Sequence, residues 1–337
     1  MRVFVTHNPE DREAYFGRSL PRLESMAEVV LNPSDQDLST PDLIRESAGC
    51  RVVIAHRSTP GESALFEHSP DLVAMFRCAI DVSTIDIEAA SAHGVLVANA
   101  DKSFIASTAE LALGLLLDLA RNISASTLDY RNGAQPPQRG GWQLSGSTAG
   151  IIGFGSIGRH LAELLSAVGM RVLIHDFDPE VASAMTTTSA PGVLHVDLST
   201  LLAGSDVVFP LVPGGPATTH LIGAPELTAM RNGSVLVNVS RGEVLDEVAV
   251  LAALNDGHLG GVGLDVGQAD DQRPSLELAA HPLVVATPHL GGLTPANADA
   301  QASSAVDQVE SVIAGSMPVR SLNPDHAHRL RAMWTEQ

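Results

Sequence analysis

The sequence predicts an α/β protein made of two Rossmann-like or flavodoxin-like parallel-sheet domains with a cleft between them. Short apolar runs alternate with helix-period segments along the 337 residues, the rhythm of parallel βα units. One stretch, residues 148–176, reads strand, glycine turn, helix, strand, acid. The residues before about 100 keep the alternation but lack that glycine turn, so they form a βα domain of their own that should not hold a dinucleotide.

The first domain's strands are expected at Val3–Val5, Val29–Leu31, Val52–Ala55, Val73–Phe76 and Val95–Val97, with a helix over Ile85–His93. A long helix follows from Ser103 to Arg121. Its apolar surface is wider than one stripe, so it buries more than one face, either as a domain-crossing or subunit-contact helix or as a plain core helix. Residues 131–146, rich in Gly, Pro and Gln, read as an irregular connection.

In the 148–176 stretch, Ile151-Ile152 leads into Gly153-Phe154-Gly155-Ser156-Ile157-Gly158. Apolar residues then recur at Ile157, Leu161, Leu164, Leu165 and Val168, which is helical spacing. Val172–Ile174 is a second strand, ending at Asp176. Gly153 permits the tight turn, Gly155 lets the backbone approach a pyrophosphate, and Gly158 lets the helix sit on the strand. The helix N-terminus favours the phosphate charge. Asp176 is placed to accept hydrogen bonds from an adenosine ribose. It would repel a 2′-phosphate, and no Arg follows it, so the cofactor is expected to be NAD.

Further strands are expected over 206–209, 234–240, 260–266 and 283–286, with helices over 246–254 and 296–313. An extended tail, 319–323, would return to the first domain. That gives a discontinuous substrate-binding domain, 1–100 plus 294–337, around an NAD-binding domain, 101–293.

The formal charge of −19 argues against nucleic-acid or anionic-membrane partners, which call for basic surfaces. Cys50 and Cys78 are too few for a disulfide framework and lack metal-ligand spacing. The N-terminus looks like a first strand rather than a signal sequence, and the expected location is cytoplasmic.

Ligands of open α/β sheets bind beyond the strands' carboxyl ends. There stand Arg241, Asp265, the pair Asp270-Asp271, and His289. An Arg grips a carboxylate with two parallel hydrogen bonds, and a His exchanges the hydroxyl proton while hydride moves. A nearby carboxylate fixes the His tautomer and favours imidazolium. Each residue alone is more often a surface or capping residue; their joint placement suits a hydroxy acid and a nicotinamide. Pro213, Val239, Ser240 and Gly291, at or just past the ends of expected strands, join Ser156 and Ile157 of the glycine turn as cofactor-contact candidates.

From about Ile85 to Pro324 the chain resembles the D-isomer-specific, NAD-dependent 2-hydroxyacid dehydrogenases. The resemblance rests on Ala109-Glu-Leu-Ala-Leu-Gly114, the Gly153–Asp176 unit, Val237-Asn-Val-Ser-Arg-Gly242, Gly263-Leu-Asp-Val266 and Thr287-Pro-His-Leu-Gly-Gly292. It implies Arg241 as catalytic arginine, His289 as acid–base, Asp265 on the nicotinamide carboxamide, a closing cleft and a homodimer. The family's His partner is usually Glu; here Asp270, or Asp271, takes that place. Its glycine-rich substrate loop is replaced by Arg77-Cys-Ala-Ile-Asp81, in which Ala79 and Ile80 still offer N–H groups. Asp81 would repel an anion if it pointed inward, and Arg57 or Arg77 could offset it. Leu211 stands where the family often has His. The expected activity is hydride transfer between NAD(H) and a small 2-hydroxy or 2-keto acid. Alternatives are an NAD(H)-sensing corepressor-like binding protein and oxidation of a non-carboxylate such as formate or phosphite.

Overall fold

The computed structural model describes residues 1–138, 140–178, 181, 192–269 and 272–335. Two compact units emerge: Met1–Ser103 with Thr294–Gln337, and Phe104–Leu293.

The first unit's sheet holds β1 (Arg2–Val5), β2 (Glu28–Leu31), β3 (Val52–Ala55), β4 (Ala74–Arg77) and β5 (Leu96–Asn99). All pair parallel in the order β2-β1-β3-β4-β5, the flavodoxin-like order. Both faces are covered, which is why β3, β4 and β5 are buried at every residue and read as continuous apolar runs instead of alternating ones. On one face Val3, Ile54, Phe76 and Ala98 pack with Ala302, Val306 and Val309 of the helix Pro295–Ile313. The tail does return to this unit: Leu322 N donates to Val97 O at 2.8 Å, and Ser321 bridges Ala98 antiparallel. It thereby covers the free edge of β5. Asn323 completes the seam, accepting from Val97 N at 2.7 Å and donating to Val95 O at 3.0 Å.

The second unit's sheet holds β6 (Thr148–Ile152), β7 (Arg171–His175), β8 (Val193–His195), β9 (Val207–Pro210), β10 (Val235–Asn238), β11 (Gly261–Leu264) and β12 (Val284–Ala286). Their order, β12-β11-β10-β9-β6-β7-β8, is the Rossmann order with a seventh strand, and it reverses between β6 and β9. The helix Ile105–Arg121 lies over this sheet, where a Cβ at Gly263 would stand 3.1 Å from Leu115 Cβ. Glycines on β11 therefore let a Leu-rich helix face approach closely. The helix ends at Asn122, in the left-handed region at φ 53°, and turns by 66° into the helix Ile123–Arg131. That second helix is not expected from the sequence, because its polar residues mask the period. β8 and the C-terminal helix His328–Thr335 also escape a sequence reading, being short. Among the described residues no single helix is long and apolar enough to cross a membrane.

Candidate functional site

The dinucleotide turn begins where β6 ends. Gly153 has φ +96°, and a Cβ there would stand 2.7 Å from Leu211 O, so the chain can turn only without a side chain. A Cβ at Gly158 would run into Gly153 O, while one at Gly155 would meet nothing within 4 Å. Gly158 thus permits helix–strand contact, and Gly155 fronts open space. The helix Ser156–Ala167 starts there, presenting first-turn N–H groups that have no intrahelical partner. Asp176, half-buried at the end of β7, accepts from Phe154 N at 2.6 Å and Asp178 N at 2.9 Å. The acid is therefore tied to the turn itself, eighteen residues past Gly158. The donor set fits a dinucleotide: backbone amides for the pyrophosphate, a carboxylate for the ribose.

Three adjacent strands supply the other candidates. Register pairs Asn238 with Leu264 and Leu264 with Ala286, so β10, β11 and β12 end level. Beyond β10, buried Asn238 shapes the turn: its amide donates to Arg241 O at 2.9 Å and accepts from Ser240 N at 3.0 Å. Arg241 is thrown outward. It is exposed, its Nη1 donates to Ser240 O at 2.8 Å, and it has no carboxylate partner among the described residues. The loop after β9 lies on its stem, since a Cβ at Gly214 would be 3.0 Å from Arg241 Cγ. In that loop Pro213 is exposed and its carbonyl accepts from Thr218 Oγ1 at 2.7 Å; Val239 is buried.

His289 is half-buried and left-handed, with φ 61°, a conformation costing a non-glycine residue about 1–2 kcal/mol. What holds it is Asp265. Its carbonyl accepts from His289 N at 2.8 Å. Its carboxylate accepts from Thr287 Oγ1 at 2.6 Å, Leu290 N at 2.7 Å and Gly291 N at 2.8 Å. At 1 % exposure, this carboxylate is largely committed to the histidine's own turn. Thr108 adds a bond from the helix Ile105–Arg121, donating to Gly291 O at 3.1 Å. A Cβ at Gly291 would stand 3.0 Å from Asp265 Oδ2, which explains the glycine. The sequence carries no signal for Thr108, whose partner lies 183 residues away. Asp270 and Asp271 lie outside the described residues.

In the first unit, Ala79 and Ile80 follow β4. Ala79 O accepts from Ala100 N at 3.0 Å and Ile80 O from Asn99 Nδ2 at 3.0 Å. Asp81 is turned into its own loop, accepting from Ser83 N at 2.9 Å and Ser83 Oγ at 3.0 Å. Of the two arginines that could offset it, Arg57 is exposed just past β3. Arg77 is fully buried, donating to His56 O, to Thr59 O at 2.8 Å and to Thr84 Oγ1 at 2.7 Å. It staples the two loops together from below. Burial lowers its guanidinium to about 10 and pushes the neighbouring Cys78 thiol up to about 12, so at neutral pH one stays charged and the other stays a thiol.

Two parallel α/β units, one with an open glycine turn and a cation, an acid and a histidine on neighbouring strand ends, make the architecture of a dinucleotide-binding α/β protein. The model of the D-isomer specific 2-hydroxyacid dehydrogenase NAD binding domain matches residues 113–291. The hydroxypyruvate reductase of Thermotoga maritima is 31% identical over 85% of this chain and 92% of its own. The TT0316 protein of Thermus thermophilus superposes with a TM-score of 0.80 at 30% identity, covering 96% of this chain and 100% of that one. The chain belongs to the D-isomer specific 2-hydroxyacid dehydrogenase family. The D-3-phosphoglycerate dehydrogenase of Methanocaldococcus jannaschii is also 30% identical over 89% of the chain. The chain spans about half the length of that relative and of its Archaeoglobus fulgidus counterpart, 56% and 53%.

Proposed function

We propose that the protein is an NAD-dependent 2-hydroxyacid dehydrogenase, or 2-ketoacid reductase, with the unit Phe104–Leu293 binding cofactor and the other unit binding substrate. The observation that carries this reading is the His289 turn, a left-handed histidine anchored by four hydrogen bonds to Asp265. Such expense on one imidazole suits a residue whose placement matters for chemistry.

Bound NAD supplies the hydride acceptor or donor, with Gly153, Gly155, Ser156, Ile157, Gly158, Asp176, Pro213, Val239, Ser240 and Gly291 as contacts. His289 takes the proton from the substrate hydroxyl in oxidation and returns it to the keto oxygen in reduction. Arg241 grips the carboxylate bidentately and polarises the reacting oxygen. Either Asp270 or Asp271 partners His289. The amides at Ala79 and Ile80, with Arg57, receive the substrate's anionic end. Asp265 holds the His289 turn, and the lone pair left on its Oδ2 suits the carboxamide. We also propose a homodimer, in a cytoplasmic setting, with exposed Leu117, Ile123, Leu128 and Tyr130 as contact candidates.

The test is NADH oxidation over glyoxylate, hydroxypyruvate, pyruvate, branched and aromatic 2-keto acids and 3-phosphohydroxypyruvate. Turnover of at least one, lost by about 10³-fold in His289→Ala, is expected. NADH binding without turnover of any member would overturn the reading.

A further inference from the structure

The sequence marks Ala79 and Ile80 as anion-binding amides but says nothing about what aims them. Peptide bonds are planar, and none among the described residues is cis, so a carbonyl and the following N–H point in opposite directions. Ala79 O is bound by Ala100 N, which turns the Ile80 N–H away from β5. Ile80 O is bound by Asn99 Nδ2 at 3.0 Å, which sets the next peptide plane. Both planes flanking Ile80 are thus tied to the end of one strand.

Asn99 is itself unusually constrained. It is 6 % exposed. Its Oδ1 accepts from Arg320 Nε at 3.2 Å and Nη2 at 2.9 Å. Its carbonyl accepts from Gln308 Nε2 at 2.7 Å, and its N–H donates to Arg320 O at 3.4 Å. The two guanidinium donors decide which way the amide faces: a flipped Asn99 would oppose NH₂ to guanidinium and turn its oxygen toward Ile80 O. The returning tail therefore does more than cover an edge.

We infer that Asn99, oriented by Arg320 from the tail, is a positioning residue that fixes the Ile80–Asp81 peptide and so the conformation of the substrate-binding loop on which the Ala79 and Ile80 amides are offered. This rests on the dehydrogenase reading above, and it assigns the tail a part in substrate affinity. Asn99 touches neither substrate nor cofactor; it acts through the direction of one peptide.

Asn99→Asp keeps the partner for Arg320 and replaces the donor to Ile80 O with an acceptor. KM for glyoxylate should rise about tenfold, the worth of one net hydrogen bond, with kcat and the KM for NADH within about twofold. Arg320→Gln should give a smaller rise of the same kind, and Arg320→Lys, which keeps a donor, should stay near wild type. Independently of turnover, hydrogen exchange of the amides across 78–84 should quicken about tenfold in Asn99→Asp, with β4 unchanged. Should that variant fail to fold, Arg320→Gln carries both readouts. An unchanged KM, a loss confined to kcat, or unchanged exchange across 78–84 would each overturn the inference. A wild-type protein that turns over no 2-keto acid would sink the dehydrogenase reading instead, and the exchange result would still decide whether Asn99 aims the loop.

Discussion

Replacing Asp265 with Asn tests how the His289 turn is held. The wild-type carboxylate takes three donors, at 2.6 Å, 2.7 Å and 2.8 Å, in a buried setting. An amide of the same shape offers one acceptor oxygen and one NH₂. If the oxygen faces Thr287 and Leu290, the NH₂ confronts the Gly291 N–H. If it faces Gly291, two donors are stranded. The smaller loss is one hydrogen bond to a charged acceptor, about 2–3 kcal/mol. The turn also carries the strain of a left-handed histidine, about 1–2 kcal/mol, which the lost bond no longer offsets. Read as loss of the competent turn, this predicts a fall in kcat/KM of about 30- to 150-fold. NADH affinity, measured by fluorescence titration, should change by less than about fivefold, because only one lone pair of Asp265 Oδ2 is left for the carboxamide. Faster hydrogen exchange at Leu290 and Gly291 should accompany the loss. Wild-type kcat/KM in Asp265→Asn would refute the argument, as would a defect confined to NADH binding.

Arg241→Lys should lower kcat/KM about 10²-fold, mostly through a raised KM for the keto acid, because a point charge cannot form the two parallel bonds of a guanidinium. Of Asp270→Asn and Asp271→Asn, one should cut kcat/KM at least about tenfold and the other stay within about twofold, which steady-state kinetics resolves. His7 supplies a pH effect on stability. Burial, aided by the charges of His56, Arg12 and Arg77, lowers it from 6.5 to about 3, so between those values the unfolded chain binds the extra proton. Stability from this group is whole above pH 6.5 and declines as pH falls toward 3, by about 2 kcal/mol at pH 5. Thermal melts at pH 7.5 and 5 should show the decline, reduced in His7→Gln; an equal slope in both proteins would rule His7 out.

Much of the second unit could be read locally. Gly153, Gly155 and Gly158 announce their roles because each answers a constraint within a few residues of itself: a positive φ, an open approach, a close helix. Strands buried on both faces stand out as apolar runs. Arg241 and His289 could be placed at strand ends because β10, β11 and β12 end level. The helix Ile123–Arg131 escapes for the converse reason. Its start is set by a left-handed Asn122, not by a capping pattern, and Ile123, Leu128 and Tyr130 stay exposed.

Asp81 shows how a side-chain direction escapes the sequence. Its acid could have faced an incoming anion, but the bonds to Ser83 turn it into its own loop. Arg77, read in the sequence as a counter-charge, is a buried staple between loops whose guanidinium also feels the charge of Asp81.

By itself, then, the sequence determined the two-unit parallel architecture, the glycine turn between strand and helix and the strand ends that carry Arg241, Asp265 and His289. These depend on backbone geometry and apolar period, which operate over a few residues. Only the tertiary structure decided that Asp265 spends its carboxylate on the His289 turn, that Thr108 reaches Gly291 from 183 residues away, and that Arg320 orients Asn99 across 221 residues. A hydrogen bond between distant segments leaves no period in the chain, and its donor and acceptor are common residue types whose pairing exists only once packing has brought them together.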